Sequence, residues 1–347
     1  MDINLDIQIE ETLKAYRASG VEDQVDYQKF YLYSIVTHST AIEGSTVTEI
    51  ENQLLFDEGI AAKSRSLTEQ MMNVDLKDAY LYAFRVASEN PTYTPQLLQQ
   101  LSALVMRRTG SEYSTIARHF DSSKGEFRLC NVSAGIGGRS YLAYNKVPRA
   151  VDDFCRWLNE EISKVDKTNI ATCYRLSFEA HFRLVSIHPW VDGNGRTTRL
   201  VMNMIQRQLG LVPSIVRKED KGEYIQSLVD SRENDDSTIT QDVMLRHHIA
   251  NLNRRVLQFQ ENDTVNTQSD TVNDTANANN DIVTGLKKSL QKVYTAILNN
   301  PEITHSEIME TLHISESTAK RATRDLKKLG YIARQGSDKT GKWIILK

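Results

Sequence analysis

The chain has 347 residues, 40% of them hydrophobic and 25% charged, with a formal net charge of −3. That length is long for one domain and points to two or three. The near-neutral balance excludes a strong whole-molecule field drawing the protein to nucleic acid or to an anionic membrane. Cys130, Cys155 and Cys173 show no paired metal spacing, and so odd and sparse a set fits a reducing compartment. The start, Met1-Asp2-Ile3-Asn4-Leu5-Asp6, is acidic and lacks a basic-then-apolar signal, and no apolar run approaches a membrane span. A cytoplasmic protein with no membrane partner is expected.

Residues 1–95 read as an N-terminal helical region. Tyr27, Phe30, Tyr31 and Ile35 recur at helical spacing, and the pattern reaches Ile42 before Gly44, a natural residue just past a helix end. The last turn, Ser39-Thr40-Ala41-Ile42-Glu43-Gly44, ends on an acid where the helix dipole prefers a cation, so a partner would compensate there. Leu76, Ala79, Tyr80, Ala83, Phe84 and Ala87 make another stripe, stopped near Asn90-Pro91. Thr94-Pro95 then supplies an N-cap and a first-turn proline for Leu97, Leu98, Leu101, Leu104 and Val105, with Gly110 ending that helix. Residues 125–146 break the pattern. Phe127, Leu129, Val132, Tyr141 and Tyr144 flank Gly135-Ile136-Gly137-Gly138, which reads as a hairpin or irregular β flap whose edge would suit an extended peptide. Pro148 opens a helix with Val151, Phe154, Cys155 and Leu158 inward. Residues 170–187 form the next, and His181 on its broad apolar face reads as a core histidine with a satisfied hydrogen bond.

The stretch His188-Pro189-Trp190-Val191-Asp192-Gly193-Asn194-Gly195-Arg196-Thr197-Thr198-Arg199 gathers the chemistry. Pro189 favours an extended or turn conformation at His188, so the preceding helix should stop there. Gly193 and Gly195 allow close approach of a ligand to the backbone. From Arg196 onward Leu200, Met204 and Ile205 form a helical stripe, so the loop delivers N–H groups at a helix N-terminus, which suits an anion. Arg196 and Arg199 crowd that positive end, an unfavourable placement that a bound polyphosphate would reverse. Asp192 can hold a divalent metal against the same phosphates, and His188 can take a proton near neutral pH.

This stretch resembles the signature of the Fic family, His-x-Phe-x-(Asp/Glu)-Gly-Asn-Gly-Arg-x-x-Arg, with Trp190 where phenylalanine is usual. Ser39 to Gly44 is similar to that family's inhibitory-helix motif, (Ser/Thr)-x-x-x-Glu-(Gly/Asn), with Glu43 as the inhibitory acid. The resemblance covers roughly residues 1–260. It implies a mainly α fold, a Fic-type helical bundle with a small β-hairpin flap, the catalytic domain spanning 96–260. It also implies transfer of AMP from ATP to a Tyr, Thr or Ser hydroxyl of a target protein, with pyrophosphate leaving. His188 matches the general base, and Asp192 the Mg2+ ligand. Gly193, Asn194 and Gly195 match the anion hole, with Asn194 also on the α-phosphate. Arg196 matches the β-phosphate contact and Arg199 the γ-phosphate contact. Glu43 would restrain the enzyme by holding Arg199 bidentately. Related enzymes transfer other groups, and some with an inhibitory glutamate remove AMP from targets. The target protein, self-modification and a homodimer are left open.

Residues 261–281 hold no basic residue, no aromatic and almost no large apolar residue, and read as a flexible linker. Residues 282–347 read as a separate module. Leu286, Leu290, Val293, Ile297 and Leu298 mark a helix, and Thr304-His305-Ser306-Glu307 a capping box before a second. Ile314-Ser315 makes a turn, and Thr318 to Leu329 a third helix bearing Lys320, Arg321, Arg324, Lys327 and Lys328. Ile332 to Arg334 and Trp343 to Leu346 flank a Gly336-to-Gly341 loop, as in a winged helix-turn-helix domain. Such a module binds DNA through its basic helix or serves as a docking or dimerisation domain. The rival to an enzyme is therefore a nucleotide-sensing winged-helix transcription regulator.

Overall fold

The structure, a computed structural model, describes residues 2–115, 118–133, 140–270, 288–312, 316–335 and 342–346. It divides into two units, Met1–Asn262 and Asp263–Lys347, each with its own apolar cluster. The fold is mainly helical, with two small antiparallel strand pairs. Among the described residues no helix is long and apolar enough to cross a membrane.

The first unit is built around α8, Asn194–Gln208. Leu200, Val201, Met202, Met204 and Ile205 are fully buried, and Asn203 and Gln206 are buried beside them, so this helix is enclosed on all sides. Complete burial of such a side chain contributes about 1.5–3 kcal/mol. Helices α4, Leu67–Ser88, and α7, Ile170–Ile187, pack against it most closely. On α4 the inward positions include Ala79, Ala83 and Ala87, whose small side chains permit a close approach. Helix α2, Tyr27–Ile42, lies against α4 and α8. Around these run α1, Ile3–Ala18, α3, Glu49–Glu58, α5, Pro95–Val105, α6, Val147–Lys164, α9, Lys221–Glu233, and α10, Thr238–Asp270. Capping boxes Thr48–Glu51 and Ser66–Glu69 start α3 and α4.

Two boundaries differ from the sequence expectation, and one strand pair adds to it. Helix α5 stops at Val105 with Met106 as its cap, not at Gly110. Beyond it the chain turns so that the Arg108 N–H and guanidinium reach the buried Asp75 carboxylate, at 2.7 and 2.5 Å. Gly110 lies past this turn, where a Cβ would strike the Ser123 backbone. A strand pair that the sequence reading did not single out joins β1, Glu112–Ser114, to β2, His119–Asp121. Within the flap expected over 125–146, Ser133 and Ser140 form an antiparallel bridge and the Tyr141 N–H donates to the Val132 carbonyl at 3.1 Å, while Gly135 to Gly138 fall outside the described residues. Helix α10 continues through residues 261–270, and the rest of the segment read as a linker, 271–281, is likewise outside.

The second unit holds α11, Lys288–Asn299, α12, His305–Leu312, α13, Glu316–Lys328, β3, Ile332–Gln335, and β4, Lys342–Ile345. Thr304 and Glu307 form the expected capping box on α12. Trp343 is buried and donates through Nε1 to the Ile303 carbonyl at 2.9 Å, tying β4 to the start of α12. The turn at Ile314-Ser315 and the Gly336-to-Gly341 loop lie outside the described residues.

Candidate active site

Helix α7 ends at Ile187, and His188 caps it in the left-handed region, φ 53° and ψ 63°. The sequence suggested an extended or turn geometry. The proline removes the right-handed option, and the helix-closing bond from His188 N–H to the Leu184 carbonyl selects the left-handed one. A non-glycine residue there costs of the order of 1–3 kcal/mol and must be held by its surroundings. The Tyr141 ring stacks on the imidazole, with centroids 3.9 Å apart and planes 16° from parallel. Burial pushes the His188 pKa down to about 4, with the Val185 carbonyl working the other way and the Arg128 and Arg232 cations adding to the fall. The imidazole is therefore neutral at pH 7 and able to accept a proton.

Trp190 is fully buried and donates through Nε1 to the Gly125 carbonyl at 3.0 Å, which pins the loop. Asn194 braces the same turn, its amide accepting from Trp190 N–H at 3.1 Å and donating to the Trp190 carbonyl at 2.8 Å. Both bonds hold the loop closed in front of α8. Gly193, φ 76°, is the N-cap of α8 and brings no side chain to cap it. The first-turn N–H groups of α8 thus keep their anion-binding capacity. At Gly195 a Cβ would land on the Glu43 carboxylate, so glycine is required for that close approach.

Arg196 is 3% exposed, donates from Nη2 to Met106 Sδ at 3.2 Å, and lies 3.7 Å from Asp192 Oδ1. Its Nε and Nη1 are buried without a hydrogen-bond partner among the described residues. Unpaired buried donors on a cation are costly, and a phosphate oxygen would satisfy them. Asp192 stands at the rim with its side chain 55% exposed. No group of three or more metal-type ligands exists among the described residues. A divalent ion on Asp192 would therefore draw its other ligands from phosphate and water, the pattern Mg2+ prefers.

Arg199 is buried on α8 and reaches the end of α2. Its Nη2 donates to Glu43 Oε1 at 2.6 Å and to the Ser39 carbonyl at 2.9 Å, while Nε donates to Ser39 Oγ at 2.9 Å. The expected bidentate pair is in fact a single bond to the carboxylate, because Ser39 takes Nε and shares Nη2, and Nη1 is turned to the Tyr224 hydroxyl at 3.5 Å. Burial pushes the Glu43 carboxyl up, but Arg199 outweighs it and holds the group below the usual range. Tyr224 on α9 flanks the guanidinium, its hydroxyl also meeting His181 Nε2 at 2.9 Å. His181 is thus a buried histidine with a tyrosine partner. The sequence reading missed Met106, Tyr224 and Arg128 as neighbours of the site. They lie 25 to 90 residues away, and no local spacing links them to it.

The fold and this loop define a helical domain with a glycine-flanked anion site at a helix N-terminus and a histidine beside it. Residues 92–206 match the model of the Fic/DOC family, and residues 286–333 that of the winged helix-turn-helix DNA-binding family. The chain is similar to Protein adenylyltransferase Fic of Drosophila erecta, 29% identical over 204 residues, or 58% of this chain and 37% of that one. It spans little more than a third of the length of the curated relatives it matches. Among solved structures it resembles a Fic domain-containing signaling protein from Bacteroides thetaiotaomicron, with TM-score 0.59 and 19% identity, covering 73% of this chain and 96% of that one. It also resembles a Fic family protein from Desulfovibrio desulfuricans G20, with TM-score 0.59 and 18% identity, covering 99% and 95%. The chain therefore carries a Fic/DOC family domain, followed by a winged helix-turn-helix segment.

Proposed function

We propose that this protein is an adenylyltransferase that moves AMP from ATP to a hydroxyl of a target protein and is restrained by Glu43. The observation that carries this reading is the Arg196–Arg199 pair on the first turns of α8. One guanidinium is buried with unpaired donors, and the other is closed by Glu43. Phosphates seated on the α8 N-terminus would take the Arg196 donors and compete with Glu43 for Arg199. Asp192 would hold Mg2+ at the rim, where the ion neutralises phosphate charge. His188, neutral because it is buried, would accept the proton of the incoming Tyr, Thr or Ser hydroxyl. The D. erecta relative bears the name of this activity, which supports the assignment.

The test is label incorporation from ATP tagged at the α-phosphate, into the protein itself and into a lysate, at equal protein and Mg2+. Glu43→Gly is expected to raise incorporation above wild type, by roughly a hundredfold if the lost pair is worth about 3 kcal/mol. His188→Ala in that background is expected to remove it, since a general base is worth about 10²–10⁴-fold. Equal labelling by wild type and Glu43→Gly, with both folded, would return Glu43 to a surface helix end. Loss of AMP from prelabelled protein, dependent on Glu43, would favour the reverse reaction.

A second reading applies to the C-terminal unit. Lys320, Arg321, Arg324, Lys327 and Lys328 are exposed on α13, while Ala319, Ala322 and Leu326 face its core. A basic helix face of this kind supports DNA binding by that unit.

A further inference from the structure

Arg128 is a fully buried arginine whose described side-chain partners are all neutral carbonyls. Nε donates to the His188 carbonyl at 2.8 Å, Nη1 to the Cys130 carbonyl at 2.8 Å, and Nη2 to the Leu142 carbonyl. Its own backbone N–H donates to the Pro189 carbonyl at 3.0 Å. A buried cation facing only dipoles is an expensive way to tie two segments together. What it joins explains the expense. Leu142 directly follows Tyr141, the residue stacked on the His188 ring. His188 and Pro189 are the two residues at the strained left-handed turn. One guanidinium therefore grips the backbone of the base and that of Leu142, next to the ring that covers it.

We infer that Arg128 is a positioning residue for His188. It ties Cys130 and Leu142, the neighbour of Tyr141, to the His188 carbonyl, and so holds the imidazole under Tyr141 in one backbone conformation. This rests on His188 being the base of the proposed transfer. The other charged groups near the imidazole are Arg232, whose guanidinium lies 5.3 Å from the Tyr141 ring centre, and Glu43. Arg232 and Arg128 both disfavour protonation of His188, while Glu43 favours it. Arg128 is the one of these that also bonds the His188 main chain. Its removal would loosen the ring and let water reach it, and both changes ease protonation.

Two substitutions in the full chain separate charge from geometry. Arg128→Lys keeps a cation but cannot span three carbonyls from a planar fork. Its expected result is a fall in AMP transfer of roughly tenfold to a hundredfold, as for a reacting group displaced by about 1 Å, with ATP binding little changed. Arg128→Met removes the charge as well. It is expected to show the same loss, and to move the His188 titration, read from its ring carbon–proton NMR signal, upward from about 4 towards the ordinary histidine value. The signal is assigned by its absence in His188→Ala. A lowered melting temperature with wild-type transfer per folded molecule and an unmoved His188 titration would make Arg128 a structural tie and overturn the inference. Should Arg128→Met fail to fold, the Lys variant decides alone, and wild-type transfer from it overturns the inference. If wild type itself transfers no AMP, the function reading fails, while the titration, which needs no turnover, still judges Arg128.

Discussion

At the scale of single residues, the site depends on where each charge is kept from water. His188 is buried enough to be neutral far below the usual histidine range, and Arg196 is a buried cation with donors to spare. The first fact sets a pH dependence. A base works when deprotonated, so transfer should hold from about pH 8 down to about 5 and be lost as pH falls through about 4. Initial rates of labelling by Glu43→Gly at saturating ATP would check this. An acid limb near 6.5 would mean that the imidazole is solvated in the working state. The signature residues were legible in the sequence as a set, because twelve consecutive positions carry them. Arg128 was not, because a lone arginine between Phe127 and Leu129 gains its meaning only from the carbonyls that the fold brings to it.

At the scale of elements, the question is what holds the end of α2 against α8. A buried amide network does much of it. Asn73 on α4 accepts from Thr40 Oγ1 and from Asn52 Nδ2, both at 2.8 Å, and donates to Ser45 Oγ at 3.1 Å. Asn52 in turn donates to Thr37 Oγ1 at 2.7 Å. Thr37, Thr40 and Ser45 lie on α2 or just past its end, on either side of Glu43, so Asn73 links the Glu43-bearing end of α2 to α3 and α4. Asn73→Leu would leave several buried polar groups unpaired, each costing about 1–3 kcal/mol. A net loss of about 2 kcal/mol would lower the melting temperature by roughly 4–8 °C in a unit of this size. It should also raise AMP labelling towards that of Glu43→Gly, because the acid loses its fixed approach to Arg199. A lower melting temperature with unchanged labelling would show that Glu43 is held by other contacts. The helices themselves were readable from apolar periodicity and caps. The short β1–β2 pair was not, since three-residue strands are too brief for alternation to register.

At the scale of the whole molecule, the two units have separate apolar clusters, and the His188-to-Arg199 stretch and Glu43 both lie within Met1–Asn262. Residues 1–262 alone are therefore expected to fold and to label as well as the full chain carrying the same Glu43 substitution. Residues 263–347 are expected to bind duplex DNA with an affinity that falls steeply with salt. Three or four phosphate contacts from α13 would give a slope of log K against log salt of about −3 to −4. Insoluble or inactive protein from the first fragment would show that the units depend on each other. Salt-insensitive or absent binding by the second would leave it as a protein-docking module.

The sequence by itself determined the chemistry on offer. A histidine, an acid, two glycines and two arginines in one turn-to-helix segment specify a loop able to meet phosphates, because local backbone rules act within a few residues. Tertiary structure alone decided which of those groups are satisfied. Glu43 meets Arg199 across 156 residues, and Ser39 and Tyr224 take the other bonds of that fork. Asn194 turns inward to brace Trp190, and Arg128 reaches 60 residues to the His188 carbonyl. Desolvation and pairing depend on what packs against a group from other elements, and apolar periodicity records only that a face is buried, not which polar atom waits there.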